Sequence, residues 1–297
     1  MTAMKLNAPR SNASGAVKRH RKKRSVLSEI LVLVLVLLFF ITIISTKLTN
    51  NVSTAAIPST KAYKCNKKPV YDDFLYSQQK EDEQLIWGKG IKFDKICGGS
   101  YIEMGALDGL DFSNSFVFNK ALDWKGLLVE ASPINYAALE KNRKNEIALV
   151  HAGVCRKERD LHWVDKSAVG GFVEFAAKSF QNKWWNKNDI KNAKVVRCRT
   201  MKNILLETVG KNYHFDFYSL DVEGAEAEVL SSIDFSQVSF GIIFVEADKH
   251  NTRKNDNVKK ILNANGYEFL YNIKNSDWFR HRNFQEIYKD VITFPAE

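Results

Sequence analysis

The segment Tyr101–Ser115, YIEMGALDGLDFSNS, limits what this chain can fold into more than any other. A short apolar strand, Tyr101 to Met104, runs into a bend through Gly105, Ala106, Leu107, Asp108 and Gly109, and then into residues with helical spacing. Glycine at such a bend lets the backbone approach a ligand closely, and a helix starting there presents unpaired N–H groups to whatever it meets. Two glycines four apart are not the G-x-G-x-x-G of a dinucleotide site. A downstream acid strengthens the pattern. Twenty-one residues after Gly109, at the end of the next apolar strand (GLLVEASP, Gly126 to Pro133), stands Glu130, where a carboxylate can accept hydrogen bonds from ribose hydroxyls.

The chain then repeats strand and helix. Ser132 and Pro133 form an N-cap and first-turn proline that open a helix through Arg143. IALVHAGV (Ile147 to Val154) reads as a third strand, almost continuously apolar as strands buried on both faces are. In FDFYSLDVEGAEAEVL (Phe215 to Leu230) a strand ends at Leu220-Asp221 and a helix follows Gly224. Asp221 and Glu223 thus fall at the carboxyl end of a strand, where open α/β sheets bind ligands; capping of the next helix is their structural alternative. A fifth strand, Phe240 to Asp248, again ends in acids, Glu246 and Asp248, with His250 just beyond. The helix VKKILNAN stops at Gly266, and YEFLYNI is a sixth strand. Such βα units in series predict a mainly parallel sheet with right-handed crossovers and helices on both faces.

Residues 156 to 194 break this rhythm. Gly170-Gly171 marks a hairpin turn, and Trp163, Phe172, Phe175, Trp184 and Trp185 crowd the segment. These aromatics either cap a site and stack on a ring-shaped substrate or pack a local cluster.

The net charge of +10 describes a tail, because residues 1–24 hold eight basic side chains and no acid. No excess of Lys and Arg marks the remainder, so a nucleic-acid partner is not expected. An apolar run from Ile30 to Ile44, extendable to Val26 and Thr46, follows KRHRKKR. At 1.5 Å per residue, about 17 residues of such a run cover about 26 Å, the hydrocarbon thickness of a thin bilayer. The basic flank leaves the tail cytosolic and the rest of the chain across the membrane. This predicts a cytosolic tail (1–25), a transmembrane signal anchor (26–46), a polar stem (47–70) and a luminal domain (71–297) of a type II protein of the endoplasmic reticulum or Golgi. Cys65, Cys97, Cys155 and Cys198 all follow the anchor, as expected in an oxidising lumen. Pairing Cys155 with Cys198 in neighbouring strand-like segments leaves Cys65 for Cys97, four free thiols being the alternative. Asn51-Val52-Ser53 fits a glycosylation acceptor close to the membrane. From Tyr71, DDFLYSQQKEDEQLIW predicts a helix whose acids Glu81, Asp82 and Glu83 form a solvated face.

YIEMGALDGLDFSNS, KGLLVEASPINYAALEKNR, FDFYSLDVEGAEAEVLSSIDF and IIFVEAD, in this order and spacing, resemble the FkbM-type family of S-adenosylmethionine-dependent methyltransferases over roughly residues 98–272. The resemblance implies a class I methyltransferase (Rossmann-like) fold, a seven-stranded sheet binding S-adenosylmethionine (SAM) at its carboxyl edge, and O-methylation of a hydroxyl on a sugar or other small acceptor. By position, Glu103, Gly105, Asp108 and Gly109 would line the methionine end of SAM, Ser115 would sit behind the loop, and Glu130 would hold the ribose. The segment HAGVC lacks the acid many methyltransferases place near adenine, so adenine recognition is unassigned. A hydroxyl nucleophile needs a base. Asp221 is the first candidate, with Glu223, Glu246 and His250 behind it; Asp221 and Glu246 could instead hold a divalent cation, though no metal is assigned. Other members of this fold act without catalysis in membrane-protein trafficking. Glycosyltransferases share the tail, anchor and stem layout, but this chain has no D-x-D, the nearest being Asp221-Val222-Glu223.

Overall fold

The computed structural model describes residues 60–247 and 251–294. The tail, the apolar run, the Asn51 acceptor, Asp248 and His250 lie outside the described residues. Among the described residues no helix is long and apolar enough to cross a membrane.

Strands β1 (Tyr63–Lys64) and β2 (Ile96–Cys97) form an antiparallel pair, held by the Cys65–Cys97 disulfide. Residues from Thr60 onward thus belong to the domain, and Ala62 is buried in its core, which moves the stem boundary back from residue 70. The segment after Tyr71 makes a single 3₁₀ turn, Asp72–Phe74, and a helix only over Glu81–Trp87. Two of its three acids, Glu81 and Asp82, are not on a solvated face. Asp82 is 1% exposed and accepts from the N–H groups of Tyr76 and Ser77 in the preceding loop and of Glu83, one of the donors that the start of a helix leaves unpaired. Glu81, also buried, accepts from Ser276 Oγ.

The main sheet uses β3 (Ser100–Met104), β4 (Lys125–Glu130), β5 (Ala148–His151), then β10 (Tyr213–Leu220), β11 (Val238–Glu246), β12 (Tyr267–Ile273) and β13 (Ser276–His281). Its order is β12-β13-β11-β10-β3-β4-β5, parallel throughout except where β13 runs antiparallel between β11 and β12. Successive residues of a strand point to opposite faces, and β11 shows the result. Ile242 and Phe244 join one core with Tyr101, Phe217 and Trp278; Ile243 and Val245 join the other with Ile102, Phe215 and Tyr218. Helices Phe116–Ala121, Pro133–Asn142 and Phe284–Tyr288 contribute to the first core, and Met201–Thr208, Glu226–Ser231 and Thr252–Ala264 to the second. Each such Ile, Phe or Val contributes about 1.5–3 kcal/mol by leaving water. The sheet is therefore sandwiched, and its carboxyl edge is the place left for a ligand.

The third predicted strand divides. Ala152 N–H still donates to Glu130 C=O, but Gly153 diverts the chain into β6 (Gly153–Val154) of a second sheet. This sheet, ordered β6-β9-β7-β8, contains β7 (Arg159–Val164), β8 (Gly171–Phe172) and β9 (Lys194–Arg199). β7 and β8 form the expected hairpin, with a 3₁₀ turn at Ser167–Val169 rather than a two-residue loop. The Cys155–Cys198 disulfide stands where β6 meets β9, and no cysteine is free among the described residues.

At the opposite end of the main sheet, buried Asp216 accepts from Ser100 N–H, Tyr288 OH and Thr60 Oγ1. His214, 8% exposed, contacts Ser239 Oγ through Nδ1 and Tyr288 OH through Nε2.

Candidate active site

β3 and β10 lie side by side, pairing Met104 with Leu220, so the next residues, Gly105 and Asp221, leave the sheet together. Asp221 N–H donates to Met104 C=O at 3.2 Å. Gly105 has φ +81°, and a Cβ there would stand 1.9 Å from the Asp221 carbonyl oxygen. Only glycine fits this approach. The turn is tied sideways to β4, because Gly105 and Ala106 N–H groups donate to Val129 C=O and Leu107 N–H donates to Glu130 Oε2 at 2.9 Å. The helix does not begin at this bend as the spacing suggested. It starts at Phe116, and residues between are held in turns.

A buried network holds those turns. Glu103, 3% exposed, accepts from Asn114 N–H at 2.6 Å, from Ser113 Oγ at 2.9 Å and from Ser115 Oγ. Arg143, 2% exposed, donates to Gly109 C=O, Tyr101 OH and Ser115 Oγ and pairs with Glu146 at 2.8 Å. Burial lifts the Glu146 carboxyl above its ordinary pKa although Arg143 opposes the shift. Asp108 Oδ1 accepts from Leu110 and Asp111 N–H groups, and Gly109 packs so closely on Arg143 and Leu139 that a Cβ would fall 2.4 Å from the Arg143 side chain. Glu103, Asp108, Gly109 and Ser115 therefore build the loop from behind and do not line the cavity, which corrects the expectation for the first three.

A cavity of about 350 Å³ opens at the carboxyl edge of the sheet, and Gly105, Glu130, Asp221, Glu223 and Glu246 all line it. Glu130 ends β4 with Oε1 accepting from Ser132 N–H and Oε2 from Leu107 N–H; burial pushes its pKa up to about 7 against those hydrogen bonds. Asn114 donates through Nδ2 to Ser219 Oγ at 2.9 Å, while its buried Oδ1 has no partner among the described residues. Trp163, Phe172, Phe180 and Trp184 supply the facing wall; Phe175 and Trp185 pack into the clusters behind it.

Ligand oxygens of Asp221, Glu223 and Glu246 lie within 4.8 Å of one another, close enough to share a cation. Lys254 Nζ already stands 3.4 Å from Glu246 and 2.9 Å from Glu226. Burial, then the charges of Asp221 and Glu226, hold the Glu246 carboxyl well above the usual carboxylate range, with Lys254 opposing. Glu226 accepts from the N–H groups of Val222 and Gly224 and so fixes the loop that carries Glu223. The arrangement can accept a proton and holds net negative charge beside the glycine turn. Sequence reasoning missed Asn114, Ser219, Glu226 and Lys254. The first three fall inside the strand-and-turn motifs, whereas nothing marks Lys254.

The model of the methyltransferase FkbM domain matches residues 103–269. The chain belongs to the FkbM methyltransferase family. Among solved structures, FkbM methyltransferase from Methylobacillus flagellatus KT is similar at 12% identity and TM-score 0.42, covering 71% of this chain and 49% of that one. This chain thus spans about half the length of that protein. Precorrin-6y C5,15-methyltransferase from Geobacter metallireducens GS-15 is similar at 12% identity and TM-score 0.36, covering 71% and 94%. Ribosomal protein L11 methylase from Lactobacillus delbrueckii subsp. bulgaricus is similar at 12% identity and TM-score 0.30, covering 68% and 78%. These likenesses are too remote to bear on the chemistry of the site. No curated protein matches the chain.

Proposed function

We propose that this FkbM-family domain binds SAM and methylates a hydroxyl of a sugar or other small acceptor, and that an N-terminal anchor holds it in the lumen of the endoplasmic reticulum or Golgi. One juxtaposition carries the reading: the Gly105 cradle, Glu130 and Asp221 border a single cavity. The residues fit SAM. Gly105 leaves the cavity rim without a side chain, Asn114 Oδ1 has no partner among the described residues and suits an ammonium, and Glu130, which lines the cavity, would meet the ribose hydroxyls. Two disulfides, which persist in oxidising compartments, support the luminal placement.

When bound, SAM supplies a methyl group activated on a sulfonium centre. The backbone at Gly105 to Leu107 and Asn114 orient its amino-acid end, and Glu130 holds the ribose. Asp221 takes the proton of the acceptor hydroxyl. Glu223 keeps the floor negative, which disfavours anionic acceptors, while the raised pKa of Glu246 favours its neutral form. Phe180 and Trp184 exclude water and offer flat apolar surface to a ring. Orientation of this kind contributes about 7–11 kcal/mol, so the chain needs little beyond geometry and one base.

Calorimetry of the full chain in detergent with S-adenosylhomocysteine, followed by methyl transfer from SAM to a panel of neutral glycans, tests the proposal. Binding with transfer is expected. No binding by the folded protein overturns it, and leaves the non-catalytic role in membrane-protein trafficking.

A further inference from the structure

The wall contributed by the small sheet contains a polar atom that the protein leaves unsatisfied. Trp163, 8% exposed, lines the cavity, and its Nε1–H has no hydrogen-bond partner among the described residues. Buried indole N–H groups ordinarily find an acceptor, so an orphan calls for an explanation. Trp278 has the same defect but belongs to the core and does not line the cavity. The nitrogen-bearing edge of Trp163 lies against a lining residue: a Cβ on Gly170 would stand 3.0 Å from Cζ2, two bonds from the nitrogen.

Its place along the sheet says what should arrive there. Strand order runs β10-β3-β4-β5, which sets Asn114 and Gly105 on one side of Glu130 and Ala152 and Gly153 on the other. Trp163 belongs to the cluster against which Ala131, the residue after Glu130, packs, and it stands edge-on to Phe172, whose ring lies against Gly153. A ligand whose ribose meets Glu130 and whose ammonium reaches Asn114 therefore lays its base over Ala152 and Gly153, beside Trp163. We infer that Trp163 Nε1–H donates a hydrogen bond to a ring nitrogen of the adenine of SAM, an assignment that rests on the proposed SAM binding. The small sheet then reads the base, while Phe180 and Trp184 face the acceptor. Adenine presents acceptors at N1, N3 and N7, whereas its amino group is chiefly a donor, so an N–H donor selects a ring nitrogen.

The test is calorimetry on the full chain in detergent with S-adenosylhomocysteine and its 1-, 3- and 7-deaza analogues, using wild type and Trp163→Phe. One analogue should bind wild type about five- to tenfold more weakly than the parent, the size of one neutral hydrogen bond. That penalty should vanish in Trp163→Phe. In wild type the Trp163 indole N–H resonance should move downfield with the parent and not with that analogue, a readout that survives if the variant does not fold. Equal binding of all three analogues, or a penalty unchanged in Trp163→Phe, overturns the inference and leaves SAM binding intact. Failure of folded wild type to bind S-adenosylhomocysteine overturns the SAM reading itself, and this inference with it.

Discussion

Gly105→Ala should damage the site in a way that can be separated from the ordinary cost of losing a glycine. Gly105 and Gly210 both have positive φ, +81° and +78°, but a Cβ on Gly105 would meet the Asp221 carbonyl at 1.9 Å and one on Gly210 would meet nothing within 4 Å. Placing an L-residue in this backbone region costs about 1–2 kcal/mol, and both variants carry that term. An ordinary carbon–oxygen approach is about 3.3 Å, so only at Gly105 must one strand end move by more than an ångström. Overpacking of that kind adds about 1–3 kcal/mol. For a domain of this size the difference corresponds to a melting temperature roughly 2–12 °C lower for Gly105→Ala than for Gly210→Ala. Because the displaced carbonyl belongs to Asp221, affinity for S-adenosylhomocysteine should fall in Gly105→Ala and hold in Gly210→Ala. Thermal melting and calorimetry on the matched pair decide it. Equal melting temperatures with equal affinities would show that the contact between the two strand ends is relaxed in solution and that the cavity floor does not depend on it.

Asp221→Asn keeps the side chain's size and removes the base, so methyl transfer should drop by roughly 10²–10⁴ while S-adenosylhomocysteine still binds; full turnover would remove Asp221 from the mechanism. Arg143→Met leaves Glu146 buried without its cation and should destabilise the domain by about 3–5 kcal/mol in urea denaturation, a loss under about 1 kcal/mol refuting the network's role. Burial lowers the His214 pKa from 6.5 to about 4. A depressed folded pKa means that its stabilisation is present above pH 6.5 and is lost as pH falls through 4. About 3 kcal/mol should disappear across that window, and His214→Gln should flatten the profile; an unchanged slope would contradict it.

The alternation of apolar strands and helices was legible because each strand ends in its own marker: Gly105, Glu130, Asp221 and Glu246. The Cys155–Cys198 pair could be read from neighbouring strand-like segments, which left Cys65 for Cys97, and both bonds are present. What escaped depended on where side chains turn. Glu103 looks like a ligand-facing acid beside a glycine bend, yet Ser113, Asn114 and Ser115 fold back onto it, a closure with no periodic signature. Asp82 sits in an acidic run that reads as solvated, and three backbone N–H groups draw it inward. Residues Ile147 to Val154 read as one doubly buried strand because the apolar run continues across the break, whereas β5 is a half-buried edge strand and only β6 is buried. Lys254 reaches Glu246 and Glu226 from a polar helix start that gives no hint of a buried partner.

The bond between Cys155 and Cys198 has a practical bearing on anyone handling this protein. It staples the sheet that carries Trp163, whereas the seven strands behind Gly105 and Asp221 contain no such cross-link. Material produced in a reducing cytosol, or stored with thiol reagents, would retain its parallel scaffold with that flank unfastened. Weak ligand binding by such a preparation would then report the reagent bottle rather than the protein.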